Sequence, residues 1–291
     1  MEDATPDFHL IAHSHGVSLL DGVTNWREKL HSPGEHDPRY GAAFQGWFNG
    51  TINGEPFTTT VTNPDIQLKK IDAWIISSGA KVGQLAIFNN ANGANVLYLD
   101  EKFSAVLQAW NDERPIVSML NGNEHALTML NRLPPYDFID AETTVLIANV
   151  PIIDEIFIDQ TISAWVNTVY YSLVALKKSS NNQLIHVLPP PPREHPQASA
   201  HSEAFPDAIL ANGFLPDLLR LKWYRRYCRK LTECLAPINC QVLAAPAQAC
   251  TTEGLLKEEY AEGLTHGNLQ YGVLVAEQIA STLQRPGHES L

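Results

Sequence analysis

Short apolar runs that break at small polar residues recur along this chain and set out its architecture. Residues 8–12 form such a run, ending at His13-Ser14-His15-Gly16, which reads as a buried strand feeding a turn. Apolar positions over 17–30 then fit a helix, while 31–55, rich in Gly, Pro and His, shows no period and reads as loop. Runs at 56–61 and 71–77 are strand-like. Two more, at 84–88 and 95–99, flank an Asn-rich centre and predict a hairpin. A helix over 101–111, a central strand over 115–120 and the longest helical pattern, 153–178, come next. A strand at 183–188 is halted by four prolines, Pro189 to Pro192, and a polar loop opens at Arg193. The pattern closes with a helix over 215–235, a strand over 240–244 and a helix over 269–283. Strands alternating with helices predict an α/β fold whose mostly parallel sheet is covered on both faces.

No internal repeat is visible, and 291 residues suit one α/β domain carrying an insertion. A formal net charge of -12 argues against nucleic acid or an anionic membrane as partner. The exception is the basic run from Arg220 to Lys230, which reads as the solvated face of an amphipathic helix or, less simply, as an anion or partner site. Cys228, Cys234, Cys240 and Cys250 include no Cys-x-x-Cys pair, so free thiols are expected rather than zinc or disulfides. The acidic start lacks the features of a secretory signal, and Pro151, Asp154 and Glu155 interrupt the apolar stretch 144–158 before it is long enough to span a bilayer. A cytoplasmic location follows as the expectation.

Three polar clusters fall where these strands end. Ser14 follows the first; Asn123, in Asn121-Gly122-Asn123-Glu124-His125, follows the central one; His266 lies in Thr265-His266-Gly267-Asn268 near the last helix. In parallel sheets, sites gather at the carboxyl ends of strands, and a hydroxyl, a carboxamide and an imidazole there are the parts of a serine hydrolase. Each has a plainer role as well. Ser14 suits a helix N-cap, Asn123 a turn, and His266 a structural histidine. His13-Ser14-His15 also has the His-x-His spacing that opens some hydrolytic metal sites, although no clean set of further ligands follows.

In these blocks the chain resembles the SGNH (GDSL-like) hydrolase superfamily. Ala12-His13-Ser14-His15 stands where that family has Gly-Asp-Ser, Asn121-Gly122-Asn123-Glu124 resembles its Gly-x-Asn-Asp block, and His266 corresponds to the histidine of Asp-x-x-His. The resemblance implies a three-layer α/β/α, flavodoxin-like single domain over 1–291, with an irregular and hairpin insertion around 32–100. It implies Ser14 as nucleophile, His266 as base, and Asn123 with a glycine N–H in the oxyanion hole; Gly46 is preferred to Gly83. The family's Asp position is occupied by Gly263, so Glu262 is the candidate acid, with Glu258, Glu259 or a bare Ser–His dyad as substitutes. His15 and His125 are candidates for substrate contact. The implied activity is hydrolysis of carboxylic esters carrying a short acyl group, including carbohydrate-linked esters, with no cofactor and no metal. O-acyl transfer to a sugar, and non-catalytic carbohydrate binding on a degenerate SGNH fold, are the alternatives the departures leave open.

Overall fold

The first apolar run is a strand buried at every position, β1 (Phe8–Ala12). A computed structural model describes residue 5 and residues 7–24, 56–76, 85–91, 94–120, 136–143, 145–194 and 214–284. β1 lies inside a six-stranded sheet with β2 (Phe57–Thr60), β3 (Lys70–Ile75), β6 (Ile116–Met119), β7 (Leu184–Val187) and β8 (Cys240–Leu243), in the order β2-β3-β1-β6-β7-β8. Only the edge strand β2 is antiparallel. The five parallel strands, counted along the chain, therefore run 2-1-3-4-5, the flavodoxin-like order. The order reverses between β1 and β6, the place where open α/β sheets leave a crevice at their carboxyl ends.

Side chains alternate across the sheet and divide the core in two. Leu10, Ala12, Ala73, Ile75, Val117 and Ile185 pack beneath α1 (His15–Thr24) and α5 (Leu269–Gln284). Ile11, Trp74, Ile116 and Leu184 face α2 (Glu101–Ala109), α3 (Glu155–Ser179) and α4 (Asp217–Leu235). The result is the expected three-layer α/β/α arrangement. Asp100 and Asp154 start α2 and α3 by accepting hydrogen bonds from the amides of Phe103 and Ile156 at 3.0 and 2.7 Å. Within 32–100, β2 and β3 join the main sheet, whereas β4 (Ala86–Ala91) and β5 (Ala94–Leu99) form a separate ribbon. Its pairing runs to Ala91 opposite Ala94, further into the Asn-rich stretch than the apolar pattern indicated. Among the described residues no helix is long and apolar enough to cross a membrane, and all four thiols are free.

The basic run on α4 corrects its reading as a solvated face. Arg220 and Lys222 are each only 1% exposed. Lys222 Nζ donates to Asp137 Oδ1 and Oδ2 at 2.9 and 3.1 Å and to the Phe138 carbonyl at 3.1 Å. Asp137 also accepts from the amides of Phe138 and Ile147, so this interior pair has its hydrogen-bonding capacity filled. Arg220 is held by Asp217 and by the carbonyls of Leu215 and Arg193. Arg226 and Arg229 are partly buried, paired with Asp159 and with Asp140 and Glu142. Charge alone marks a side chain as solvated; an acidic partner 85 residues upstream reverses that, and no local pattern reveals it.

α1 and α5 meet backbone to backbone. A Cβ on Gly272 would stand 1.7 Å from the Ser18 carbonyl oxygen, and one on Gly22 would stand 2.6 Å from the Val273 nitrogen. Neither contact can be relieved by turning a side chain, because both neighbours are main chain. Gly272→Ala is expected to lower folding stability by about 3 kcal/mol, the upper end for overpacking, measured by urea unfolding.

Two buried histidines make stability depend on pH. His186 on β7 is 0% exposed, its Nδ1 lies 3.2 Å from Ser118 Oγ, and burial pushes its pKa down to about 3. Burial also lowers the pKa of His9, against the opposing pull of Asp112, whose two carboxylate oxygens lie 3.0 Å from its Nε2. The unfolded chain takes up these protons as pH falls below about 6.5, while the folded chain resists them. Stability is therefore complete above that range and drains away as pH drops toward 3. Between pH 6 and 5 each fully neutral buried histidine costs about 1.4 kcal/mol per pH unit at most. His186→Gln is expected to flatten that slope in urea titrations; an unchanged slope refutes the assignment.

Candidate active site

Ser14 occupies the one-residue step between the turn at His13 and the first turn of α1. The end of β1 is pinned on both sides: the Ala12 carbonyl accepts from Ile76 N at 2.8 Å, and His13 N donates to the Met119 carbonyl at 3.2 Å. The carbonyls of His13 and Ser14 accept from Gly16 N and Val17 N at 2.9 and 3.1 Å, closing the turn into the helix. A Cβ on Gly16 would meet the Ala12 Cβ at 2.3 Å, so glycine is needed for the chain to double back here. Ser14 is consequently held at the positive end of α1, where developing negative charge is favoured.

His266 arrives from the other end of the chain. β9 (Ala261–Glu262) and β10 (His266–Gly267) form a two-residue antiparallel ribbon, closed through Gly263 at φ +58. Asn268 then caps α5, accepting from Tyr271 N at 3.1 Å and donating to the Glu259 carbonyl at 2.7 Å. Behind the ribbon, the buried Arg193 donates to the Gly263 carbonyl at 3.0 Å and to Glu258 Oε1 at 2.8 Å. The Arg193 carbonyl is itself fixed by Arg220 of α4 at 2.9 Å.

These two approaches bring His266 Nε2 to 2.9 Å from Ser14 Oγ. On the far side of the ring, Nδ1 lies 2.9 Å from Thr265 Oγ1. An Nδ1–H donating to Thr265 leaves Nε2 unprotonated and able to accept the Ser14 proton. Glu262, the candidate acid, is the cross-strand partner of His266, so the two side chains leave the same face of the ribbon. His15, a candidate for substrate contact, stacks on His266 with ring centroids 4.7 Å apart and 30° between planes. His13 turns its Nδ1 to Ser14 Oγ at 3.2 Å. The two imidazoles of the His-x-His spacing thus engage the serine and its histidine, and among the described residues no group of three or more His, Cys, Asp or Glu side chains is arranged to hold a metal. Asn123, Gly46, Gly83 and His125 lie outside the described residues. Two contacts escaped the sequence reading. Thr265 carries no signal beyond its place beside His266, and His13 shows itself as one imidazole of the His-x-His spacing and as the residue standing where the family has Asp, not as a neighbour of the Ser14 hydroxyl.

No family model matches the chain, and no curated protein matches it. The structure is similar to that of a provisionally assigned acylhydrolase from Bacteroides fragilis, at 9% identity over 98% of this chain and 91% of that one, with a TM-score of 0.44. It is also similar to Est24, a carbohydrate acetylesterase from Sinorhizobium meliloti, at 11% identity over 94% of this chain and 97% of that one, with a TM-score of 0.40.

Thr265→Val keeps the side-chain shape and removes the hydroxyl at Nδ1. The expected outcome, read from ring ¹⁵N shifts by NMR, is a gain of the Nε2–H tautomer of His266 at the expense of Nδ1–H. An unaltered tautomer means that another group sets the proton's position.

Proposed function

We propose that this chain is a serine-dependent hydrolase of carboxylic esters, with Ser14 as nucleophile and His266 as general base. The observation that carries the reading is the 2.9 Å contact between Ser14 Oγ and His266 Nε2 at the carboxyl end of β1. A serine hydroxyl is a weak nucleophile near neutral pH, and a neutral imidazole accepting its proton is the usual remedy. In the proposed reaction Ser14 Oγ attacks the ester carbonyl carbon as its proton passes to His266 Nε2. Collapse of the tetrahedral intermediate breaks the bond to the leaving alkoxide, which takes that proton. Water then repeats the sequence on the acyl-enzyme, with His266 as base again.

Charge on the carbonyl oxygen needs fixed donors. In this proposal they are the Ser14 N–H at the start of α1, the Asn123 carboxamide and the Gly46 N–H. Glu262 is proposed as the acid that steadies the imidazolium, alongside the Thr265 hydroxyl at Nδ1. Support for Glu262 is its place opposite His266 in the ribbon. A short acyl group on a small-molecule or carbohydrate alcohol is the proposed substrate class, taken from the family resemblance. A single domain working in a reduced, cytoplasmic setting accords with the four free thiols.

Intact-protein mass after a fluorophosphonate probe tests the reading. One adduct is expected on wild type, none on Ser14→Ala, and labelling slowed at least about 100-fold in His266→Gln. Asn123→Ala is expected to slow turnover of an ester substrate by about 100- to 1,000-fold with folding intact. A folded wild type that takes no adduct, or a Ser14→Ala that still does, overturns the proposal. Adding a free sugar to acetyl-ester turnover then separates transfer, which yields an acetylated sugar, from hydrolysis.

A further inference from the structure

Ser14 Oγ has two imidazole neighbours, and its single hydrogen can serve only one. His266 Nε2 lies at 2.9 Å and His13 Nδ1 at 3.2 Å. A hydroxyl offers one O–H and two lone pairs. If the hydrogen points to His266, as its role as base requires, His13 Nδ1 faces a lone pair and can bond only as an N–H donor. The protons then run in one direction: His13 Nδ1–H to Ser14 Oγ, Ser14 O–H to His266 Nε2, and His266 Nδ1–H to Thr265 Oγ1.

We infer that His13 is a second catalytic imidazole, one that keeps its Nδ1 proton and donates it as a hydrogen bond to the Ser14 oxygen while that oxygen loses its own. The inference rests on the reading of Ser14 and His266 as nucleophile and base. No proton leaves His13 at any step. As the hydroxyl proton moves to His266 and before the Oγ–carbonyl bond is complete, partial negative charge on Oγ strengthens the bond from His13, since hydrogen bonds to ionised acceptors are about twice as strong as neutral ones. The charge then passes to the carbonyl oxygen. The ring is placed for this before substrate binds. His13 is only 5% exposed, its N–H is fixed to the Met119 carbonyl, and its carbonyl is fixed by Gly16 N. On the opposite side, the stacked His15 ring restrains the plane of His266. The nucleophile thus sits between an acceptor and a donor, the latter on a backbone fixed at both its N–H and its carbonyl.

Two substitutions separate a donor from an imidazole. Asparagine places an amide N–H close to the position of His13 Nδ1, whereas leucine fills the space without one. With the fluorophosphonate probe, His13→Leu is expected to label roughly 10- to 100-fold more slowly, the span of one hydrogen bond to a charged group. His13→Asn is expected to stay within about five-fold of wild type. Leucine labelling at the wild-type rate, or asparagine labelling as slowly as leucine, overturns the inference. Ring ¹⁵N shifts of the unsubstituted protein give a readout that needs neither activity nor a variant: His13 is expected as the Nδ1–H tautomer, and an Nε2–H tautomer overturns the assignment. The two claims fail differently. Wild type that labels while His13 carries Nε2–H leaves the nucleophile and base standing and removes His13. A wild type that does not label but shows His13 as Nδ1–H removes the hydrolase reading and leaves only the resting hydrogen bond.

Discussion

The close crossing of α1 and α5 is the contact on which the rest of the molecule depends. Ser14 precedes the first residue of α1, and His266 lies three residues ahead of α5. Neither side chain can be aimed independently of its helix, so the 2.9 Å between them expresses how those helices pack. Gly22 and Gly272 let the two backbones touch, and Gly16 lets α1 leave β1 at the angle that brings it there. A contact of main chain on main chain has no rotamers in which to relax, which makes it a stiff reference for a reaction sensitive to fractions of an ångström.

A second layer of rigidity comes from charge buried on the other side of the site. Arg220 holds the carbonyl of Arg193, and Arg193 in turn holds the Gly263 carbonyl beside the histidine ribbon. Lys222, two residues along the same helix, is locked to Asp137. These guanidinium and ammonium groups are largely removed from water, and each donates to at least two oxygen atoms. Their worth lies in fixing one arrangement of α4, the 136–140 segment and the 258–263 segment rather than in net stability.

Much of the fold was legible in the chain because each buried strand is short, apolar and punctuated. The run at 8–12 is observed as β1, the prolines after residue 188 do follow β7, and the two apolar runs at 84–88 and 95–99 do pair, with part of the Asn-rich stretch drawn into their strands. Elements too short to show a period were not legible, and β9 with β10 is the telling case: two residues per strand decide which side chain faces His266. Nor was the interior of α4, where the burial of Lys222 depends on an aspartate far away in sequence. At the site, residue types foretold the meeting of a serine with a histidine. The contacts of Thr265 and His13 needed distances, because a neighbour in sequence can point its side chain anywhere.

The two halves of the proposed reacting pair are 252 residues apart, one at the entry to the first helix and one just before the last. β1 is an interior strand whose partners, β3 and β6, are made after it, and α5 comes later still. During synthesis the serine therefore emerges long before its base exists. A chain that stalls, or is clipped ahead of residue 266, has no imidazole at Ser14 Oγ from that side. Under the proposed function, reactivity toward esters is a property of the finished topology and reports that β1 and the segment ahead of α5 have met.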